Sequence, residues 1–315
     1  MTTDLGWLRE QLGKWHPALG RGEGDIDPFW RRIWRLRWGG LQCCVKSPRL
    51  REETAQEVAL LRSLYSAGYP VPRVHWADEE AGLFVMEWVE GPSLEDLLKQ
   101  PKGTERDRAL ATCVRALAHL EAGAGIIERV AGAQAPATSG AHELAATLLD
   151  LASRLAPGVD KKRLNDPLGM LAAVICAEPR PILGIVDVLP RDVVVGRERV
   201  VFLDHWPVGW WWSEKRFCQY FARFQQDPAD RSYQSECFLA HFVDSSPARL
   251  DAHYLWHDLS YLNAWQEIRD SPEETKPPED ILDSIIAAAR HRLGWHGHCP
   301  AASEVRALLR ANLAR

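Results

Sequence analysis

Three aspartates, Asp187, Asp192 and Asp204, stand in the stretch ILGIVDVLPRDVVVGRERVVFLDHW at positions 182–206, among the valines, isoleucines and leucines of strand-type sequence. VVVGRERVVFL predicts two short strands joined by residues 196–199. Antiparallel pairing of Val193–Val195 with Val200–Leu203 then sets Asp192 and Asp204, twelve positions apart, side by side at one mouth. Two carboxylates there repel unless a cation neutralises them, and carboxylate oxygens completed by water suit magnesium. Asp187 lies five positions before Asp192, across the proline-restricted loop VLPR. From there it could orient a substrate hydroxyl and accept its proton during phosphoryl transfer, so the pattern asks for a nucleotide. Taken singly, each acid is an ordinary strand-ending or turn-capping residue. Only the joint placement points to chemistry.

A basic partner is available at Lys46, at the exit of a strand, where its ammonium could reach nucleotide phosphates. A lone lysine in that position is as readily a solvent-facing one. Glu53 and Glu57 share one face of the following helix at i and i+4, and either could hold the ammonium; periodicity does not choose between them.

The elements that must position these groups follow from the hydrophobic pattern. In IWRLRWGGLQCCVK, Trp34, Leu36 and Trp38 alternate with arginines, Gly39 and Gly40 permit a hairpin turn, and Leu41, Cys43 and Val45 continue a second strand. A rival pattern makes DPFWRRIWRL a short amphipathic helix. Adjacent Cys43 and Cys44 should face opposite sides of the strand. REETAQEVALLRSLYSA, about 51–67, predicts a helix ended by Gly68, and YPVPRVHWA must run extended before a strand at 83–88. Ser93 caps a short helix, with Asp96 three positions on as its reciprocal partner. The remaining two-thirds is mainly helical, with a helix across ERDRALATCVRALAHLEAG, others in HELAATLLDLASRL and DPLGMLAAVICAEP, and late helices near 214–225, 233–243, 251–268, 279–293 and 301–314. Small residues at 131–141 and the polar, proline-containing 271–280 predict connections.

At 315 residues and 46% hydrophobic content the chain can bury a substantial core, as one large domain or two modest lobes. A formal charge of -5, from 38 basic and 43 acidic residues without long tracts of one sign, argues against a general nucleic-acid surface. MTTDLGWLREQLGKW has neither the apolar run of a secretory signal nor that of a membrane span. Seven cysteines, an odd number without a regular framework, agree with free thiols in a reducing, cytoplasmic setting.

With these residues in order, the chain resembles the protein-kinase-like fold, specifically the aminoglycoside phosphotransferase-related small-molecule kinases. CCVK looks like the strand carrying the nucleotide-binding lysine, and QEVALLRSLYSAGYPVPRVHWAD like the glutamate-bearing helix and the Val-Pro segment after it. That register selects Glu57 over Glu53. LFVMEWVEGPSL resembles the inter-lobe hinge, which implies that backbone groups of Met86, Glu87, Trp88 and Val89 lie near the base. The family's His-Gly-Asp, four residues, Asn, and later Ile-Asp correspond to IVDVLPRD and FLD. The resemblance thus implies Asp187 as the catalytic aspartate and Asp192 and Asp204 as magnesium ligands. Ile185 stands where the family has histidine, and Asp192 where it has asparagine.

The implied architecture is α+β: a nucleotide-binding lobe over 1–90, with a small antiparallel sheet, one crossing helix and the hinge strand, and a larger helical lobe over 91–315 for catalysis and the acceptor. The implied activity is magnesium-dependent transfer of phosphate from ATP, or GTP, to a hydroxyl of a small molecule such as a sugar, amino alcohol or natural product. No nucleic-acid or transmembrane partner is expected. The alternative is a catalytically impaired, pseudokinase-like nucleotide-binding or regulatory protein, which Ile185 favours. GRGEGD at 20–25 could cradle phosphates through its amides or be a surface turn. Glu214, Asp251, Asp258 and Glu267 are acids available to a cationic acceptor, or simply solvated. Trp210–Trp212 cannot all share one strand face and could floor an apolar pocket, press on a partner or pack in the core. HRLGWHGHC groups histidines and a cysteine without standard zinc spacing.

Overall fold

The computed structural model describes residues 5–30, 32–47, 51–134, 140–187, 189–271 and 277–313. The expected connections at 131–141 and 271–280, and the VLPR loop, lie partly outside the described residues. Helices α1 (Leu5–Trp15) and α2 (Pro17–Gly20) precede strands β1 (Asp25–Trp30), β2 (Ile33–Trp38) and β3 (Leu41–Lys46). Helix α3 (Arg51–Ser66), strands β4 (Val74–Asp78) and β5 (Leu83–Glu87) and helix α4 (Leu94–Leu98) follow. Helices α5 (Thr104–Glu121), α6 (Ala124–Ala131), α7 (Ala141–Leu155) and α8 (Lys161–Cys176) lead to β6 (Ile182–Ile185). A 3-10 turn at Pro190–Asp192 opens β7 (Val193–Val195), followed by β8 (Val200–Phe202) and β9 (Val208–Trp211). The chain ends in α9 (Ser213–Phe221), α10 (Pro228–Leu239), α11 (Pro247–Asp270), α12 (Glu279–Arg292) and α13 (Pro300–Leu313). This is the expected α+β composition, and 27–30 and 33–36 are paired strands rather than a helix.

Contacts divide the chain into two compact units. One comprises residues up to Gln100, Arg115–Gln134 and Leu183–Gly209; the other Pro101–Val114, Ala135–Ile182 and Trp210 onward. The first unit therefore does not stop at 90: it takes in the segment that bears the three aspartates.

Its five-stranded antiparallel sheet has the order β1-β2-β3-β5-β4. Pairing of Leu36 with Cys43 and of Trp34 with Val45 puts these side chains on one face, where Leu8, Leu12 and Leu19 cover them. Helix α1 is an element beyond those expected, although Leu5, Leu8 and Leu12 have helical spacing. Gly39 and Gly40 take φ of 56° and 80°, the left-handed pair that a two-residue hairpin turn needs. Cys43 packs on the α1 side, and Cys44 turns to the other face. Gly68 ends the α3 segment at φ 85°.

Past β5 the chain is clamped to the β7–β8 hairpin. The Val195 amide donates to the Pro92 carbonyl at 3.0 Å, and Ser93 bridges Val194. Approach is so close that a Cβ on Gly91, at φ 150°, would sit 2.5 Å from the Val195 carbonyl oxygen. Ser93 caps α4 as expected, accepting from the Asp96 amide at 3.1 Å and donating to its carboxylate at 2.6 Å.

The second unit is built on the face of α11 against α7, α8, α12 and α13, with Leu148, Leu171, Leu255, Leu259, Ile286 and Val305 fully or almost fully buried. Late helices fall where periodicity placed them, with boundaries shifted by a few residues. Proline at the first turn sets the true starts of α10, α11 and α13, at Pro228, Pro247 and Pro300. Among the described residues no single helix is long and apolar enough to cross a membrane.

Gly91→Ala should destabilise the protein by about 2 kcal/mol or more, because backbone strain and the carbonyl clash add. Gly103→Ala, with nothing within 4 Å of the new methyl, should cost much less. Chemical denaturation of both variants checks this, and equal losses would remove the clamp from the account.

Candidate active site

Lys46 ends β3 and is held from two directions. Its Nζ lies 2.6 Å from Glu57 Oε1, on the second turn of α3, and 2.8 Å from Asp204 Oδ1. Of the two glutamates that periodicity left open, Glu57 is the one that meets the lysine; it is 1% exposed. Burial works against the Lys46 charge, but Glu57 and Asp204 outweigh it and hold the ammonium above its ordinary pKa. Burial in turn raises Glu57, opposed by Lys46 and by a backbone hydrogen bond from His205. His205 directly follows Asp204, is fully buried, and is lowered to about 4 by that burial, so it is neutral. Its role escaped the sequence reading, and its place at the end of an apolar strand was the available signal.

The expected hairpin is present: Val193 faces Phe202, Val194 faces Val201 and Val195 faces Val200. Just outside it the Leu203 amide donates to the Asp192 carbonyl at 2.8 Å, which sets Asp192 and Asp204 at the same end. The Asp192 carboxyl is pushed up to about 6, by burial first and then by Asp204, with a smaller push from Asp187 and opposition from Arg191 and Lys46. Asp187 is exposed, between β6 and the 3-10 turn, and Ile185 is buried in β6.

These groups border a cleft of about 590 Å³ within the first unit. Ile33, Cys44 and Met86 enter it from the sheet, and Leu189, Val194 and Leu203 from the aspartate-bearing segment. Glu87, Trp88 and Val89 form its back, while Asp187, Asp192, Asp204 and Lys46 gather at one part of its wall. Two apolar surfaces and a charged end make a slot for a flat, partly apolar body with an anionic tail. Cys44 is buried and pushed up to about 12, mainly by desolvation, so it packs rather than reacts. The Glu87 side chain is not turned to the slot alone: both its oxygens accept from Arg199 Nη2, at 2.5 and 2.6 Å. That pair, unforeseen from the sequence, ties the end of β5 to the β7–β8 turn. Trp88 carries the Arg35 guanidinium 4.8 Å above its ring and the Phe29 ring at 5.2 Å.

GRGEGD is a turn entering β1 and lines a surface recess with Trp38–Gln42. Lys46 pairs with Ile33, at the opposite end of the β1–β2 ladder. Six strand residues separate the two, roughly 20 Å, so the surface-turn reading holds.

Among the described residues no group of three or more His, Cys, Asp or Glu is arranged to hold a metal. Asp192 and Asp204 are a pair, and that donor set fits magnesium, which takes one or two carboxylates and completes its shell with water and phosphate oxygens. Of the four acids considered for a cationic acceptor, Glu214, Asp251 and Asp258 are buried and Glu267 is exposed, and all four pair with arginines. Trp212 packs in the core and Trp210 and Trp211 are half-buried. Cys299 is a core residue whose amide donates to Asp251 at 3.0 Å.

The repulsion at Asp192 has a measurable sign. Its folded pKa lies above the unfolded value, so the folded state binds this proton more tightly; stability from this group is full below about pH 4 and declines as pH rises through about 6. Asp192→Asn should therefore raise the melting temperature at pH 7 by about 2 °C or more, with no gain at pH 4. A gain that does not vary with pH would contradict the cause assigned.

The sequence profile described as the phosphotransferase enzyme family matches residues 8–181, more than half of the chain. Among solved structures, a choline/ethanolamine kinase family protein from Mesorhizobium loti is 17% identical, covers 97% of this chain and 98% of its own, and superposes with a TM-score of 0.60. A putative aminoglycoside phosphotransferase from Ralstonia eutropha is 11% identical over 91% of this chain and 93% of its own, with a TM-score of 0.58. A macrolide 2'-phosphotransferase from Brachybacterium faecium is 12% identical over 89% and 98%, with a TM-score of 0.53. At these identities the likeness establishes the fold. No curated protein sequence matches the chain. Profile match and kinase-like fold agree with the lysine, glutamate and aspartate found together, and the chain belongs to the phosphotransferase enzyme family.

Proposed function

We propose that this phosphotransferase moves the terminal phosphoryl group of ATP, or GTP, to a hydroxyl of a small molecule with magnesium. The observation that carries the reading is the Lys46 ammonium bound by both Glu57 and Asp204 at the charged end of the cleft. Glu57 holds Lys46 extended so that its ammonium meets nucleotide phosphates. The base lies between Ile33, Cys44 and Met86 on one side and Leu189, Val194 and Leu203 on the other, with its edge on the Met86–Val89 backbone. Asp192 and Asp204 hold magnesium, which when bound neutralises phosphate charge.

Asp187 is exposed at the same wall and is the acid left to orient the acceptor hydroxyl. The acceptor oxygen forms the new bond to the terminal phosphorus, the bridging bond to the nucleoside diphosphate breaks, and the hydroxyl proton passes to Asp187. The second, helical unit carries the acceptor pocket, and this substrate class together with free cysteines fits a cytoplasmic enzyme.

Asp187→Asn should lower turnover roughly 100-fold or more while leaving nucleotide affinity within a few-fold, read by product mass spectrometry and calorimetry. Asp204→Ala should weaken magnesium-coupled nucleotide binding at least about tenfold. Unchanged turnover in the first, or an unchanged metal titration in the second, would remove the assigned role. Nucleotide binding without turnover across a broad acceptor panel would favour a regulatory nucleotide-binding protein, a reading that the buried Ile185 already invites.

A further inference from the structure

The helical unit holds more buried positive charge than its acids answer. Lys215, in the first turn of α9, is 6% exposed, with its Nζ 3.8 Å from the Trp256 ring centroid and 5.7 Å from that of Trp211. Among the described residues it has no carboxylate partner. Both acids near it are engaged elsewhere. Glu214 meets Arg249 Nε at 2.9 Å and accepts from Ser245 Oγ at 2.5 Å, and Asp258 lies between Arg231 at 3.1 Å and Arg292 at 2.8 Å. Four buried cations, Lys215, Arg231, Arg249 and Arg292, thus share two buried acids. Asp251 and Arg306 neutralise each other at 2.7 Å. His253 and His257 do not add to the excess, because burial lowers the first well below its ordinary value and the second to about 3 and so keeps both neutral. Burial also lowers Lys215, to about 8 against the opposing Cys218, which leaves it mostly protonated at neutral pH.

Polar atoms without partners collect in the same place. Both ring nitrogens of His253, the indole nitrogen of Trp212 and Glu214 Oε2 are buried and lack a hydrogen bond among the described residues. The Trp212 ring lies 5.7 Å from His253 and 5.9 Å from Trp256. Buried polar groups without partners are rare in folded proteins and mark bound water or ligand. Donors outnumber acceptors there: the Lys215 ammonium, with three N–H groups, the Trp212 indole N–H and one imidazole N–H stand against Glu214 Oε2 and the other imidazole nitrogen. A cationic alcohol would add a like charge to a cluster already in excess.

We propose that the helical unit binds the carboxylate or phosphate of a small molecule at the Lys215 ammonium beside Trp211 and Trp256, and that this molecule is the acceptor alcohol. The second half rests on the phosphotransfer reading above.

The test uses the whole protein without nucleotide, following tryptophan fluorescence and melting temperature. D-glycerate and glycerol 3-phosphate serve as anionic alcohols, inorganic phosphate as a free anion, and choline and ethanolamine as cationic alcohols. The anionic alcohols should change fluorescence and raise the melting temperature while the cationic ones do neither, and Lys215→Met should weaken anion binding at least tenfold. Silent anions, binding of choline or ethanolamine, or undiminished binding by the variant would overturn the proposal. Phosphate acting while both anionic alcohols stay silent would keep the anion site and overturn its assignment to the acceptor. If Lys215→Met does not fold, the wild-type comparison of anions with cations decides alone. A separate ATP and magnesium titration of the same samples reports on the phosphotransfer reading, so the two can fail independently.

Discussion

A single ammonium organises the first unit. Lys46 joins the end of β3 to the middle of α3 through Glu57 and to the end of β8 through Asp204, so three segments distant in sequence converge on one charge. Glu57 is buried, and an uncompensated carboxylate there would cost several kcal/mol, which makes the lysine a structural necessity as well as a chemical group. The same network leaves Asp192 beside Asp204 with its carboxyl raised to about 6. Burial first, and repulsion from Asp204 second, make the ionised Asp192 carboxylate costly to the fold at neutral pH.

Around that centre the backbone is held by shape more than by charge. Gly91 lets the segment after β5 lie against Val195, and the Glu87–Arg199 pair ties the same segment from its other side. The back of the cleft is therefore connected directly to the hairpin whose far end presents the acids. A change in the segment after β5 that moves the hairpin also moves Asp192 and Asp204, which gives remote residues a physical route to influence on the site.

In the helical unit, buried arginines consume the acids that looked free in the sequence. Arg106 with Asp230, Arg306 with Asp251, and Arg231 and Arg292 with Asp258 form short, buried pairs. Such pairs are costly to break once formed and specify how the helices meet. They also change what the unit can recognise, because carboxylates committed to arginines are poor partners for an ammonium ligand.

Local pattern was enough for much of this. Alternation and the Gly39-Gly40 pair determined the β2–β3 hairpin, 3.6-residue periodicity the long helices, and valine runs around a polar turn the pairing of β7 with β8, because each depends on neighbours within about twenty residues. The grouping of Asp192 with Asp204 was legible for the same reason. Glu57 was distinguishable from Glu53 only through resemblance, since both lie on one helical face and burial alone separates them. The buried His205, the Arg199 clasp, the neutralised acids of α9 and α11 and the excess charge at Lys215 were decided by tertiary structure. Each depends on partners from segments far apart in the chain, and burial, which sets both the charge state and the cost of a missing partner, is a property of the assembled fold.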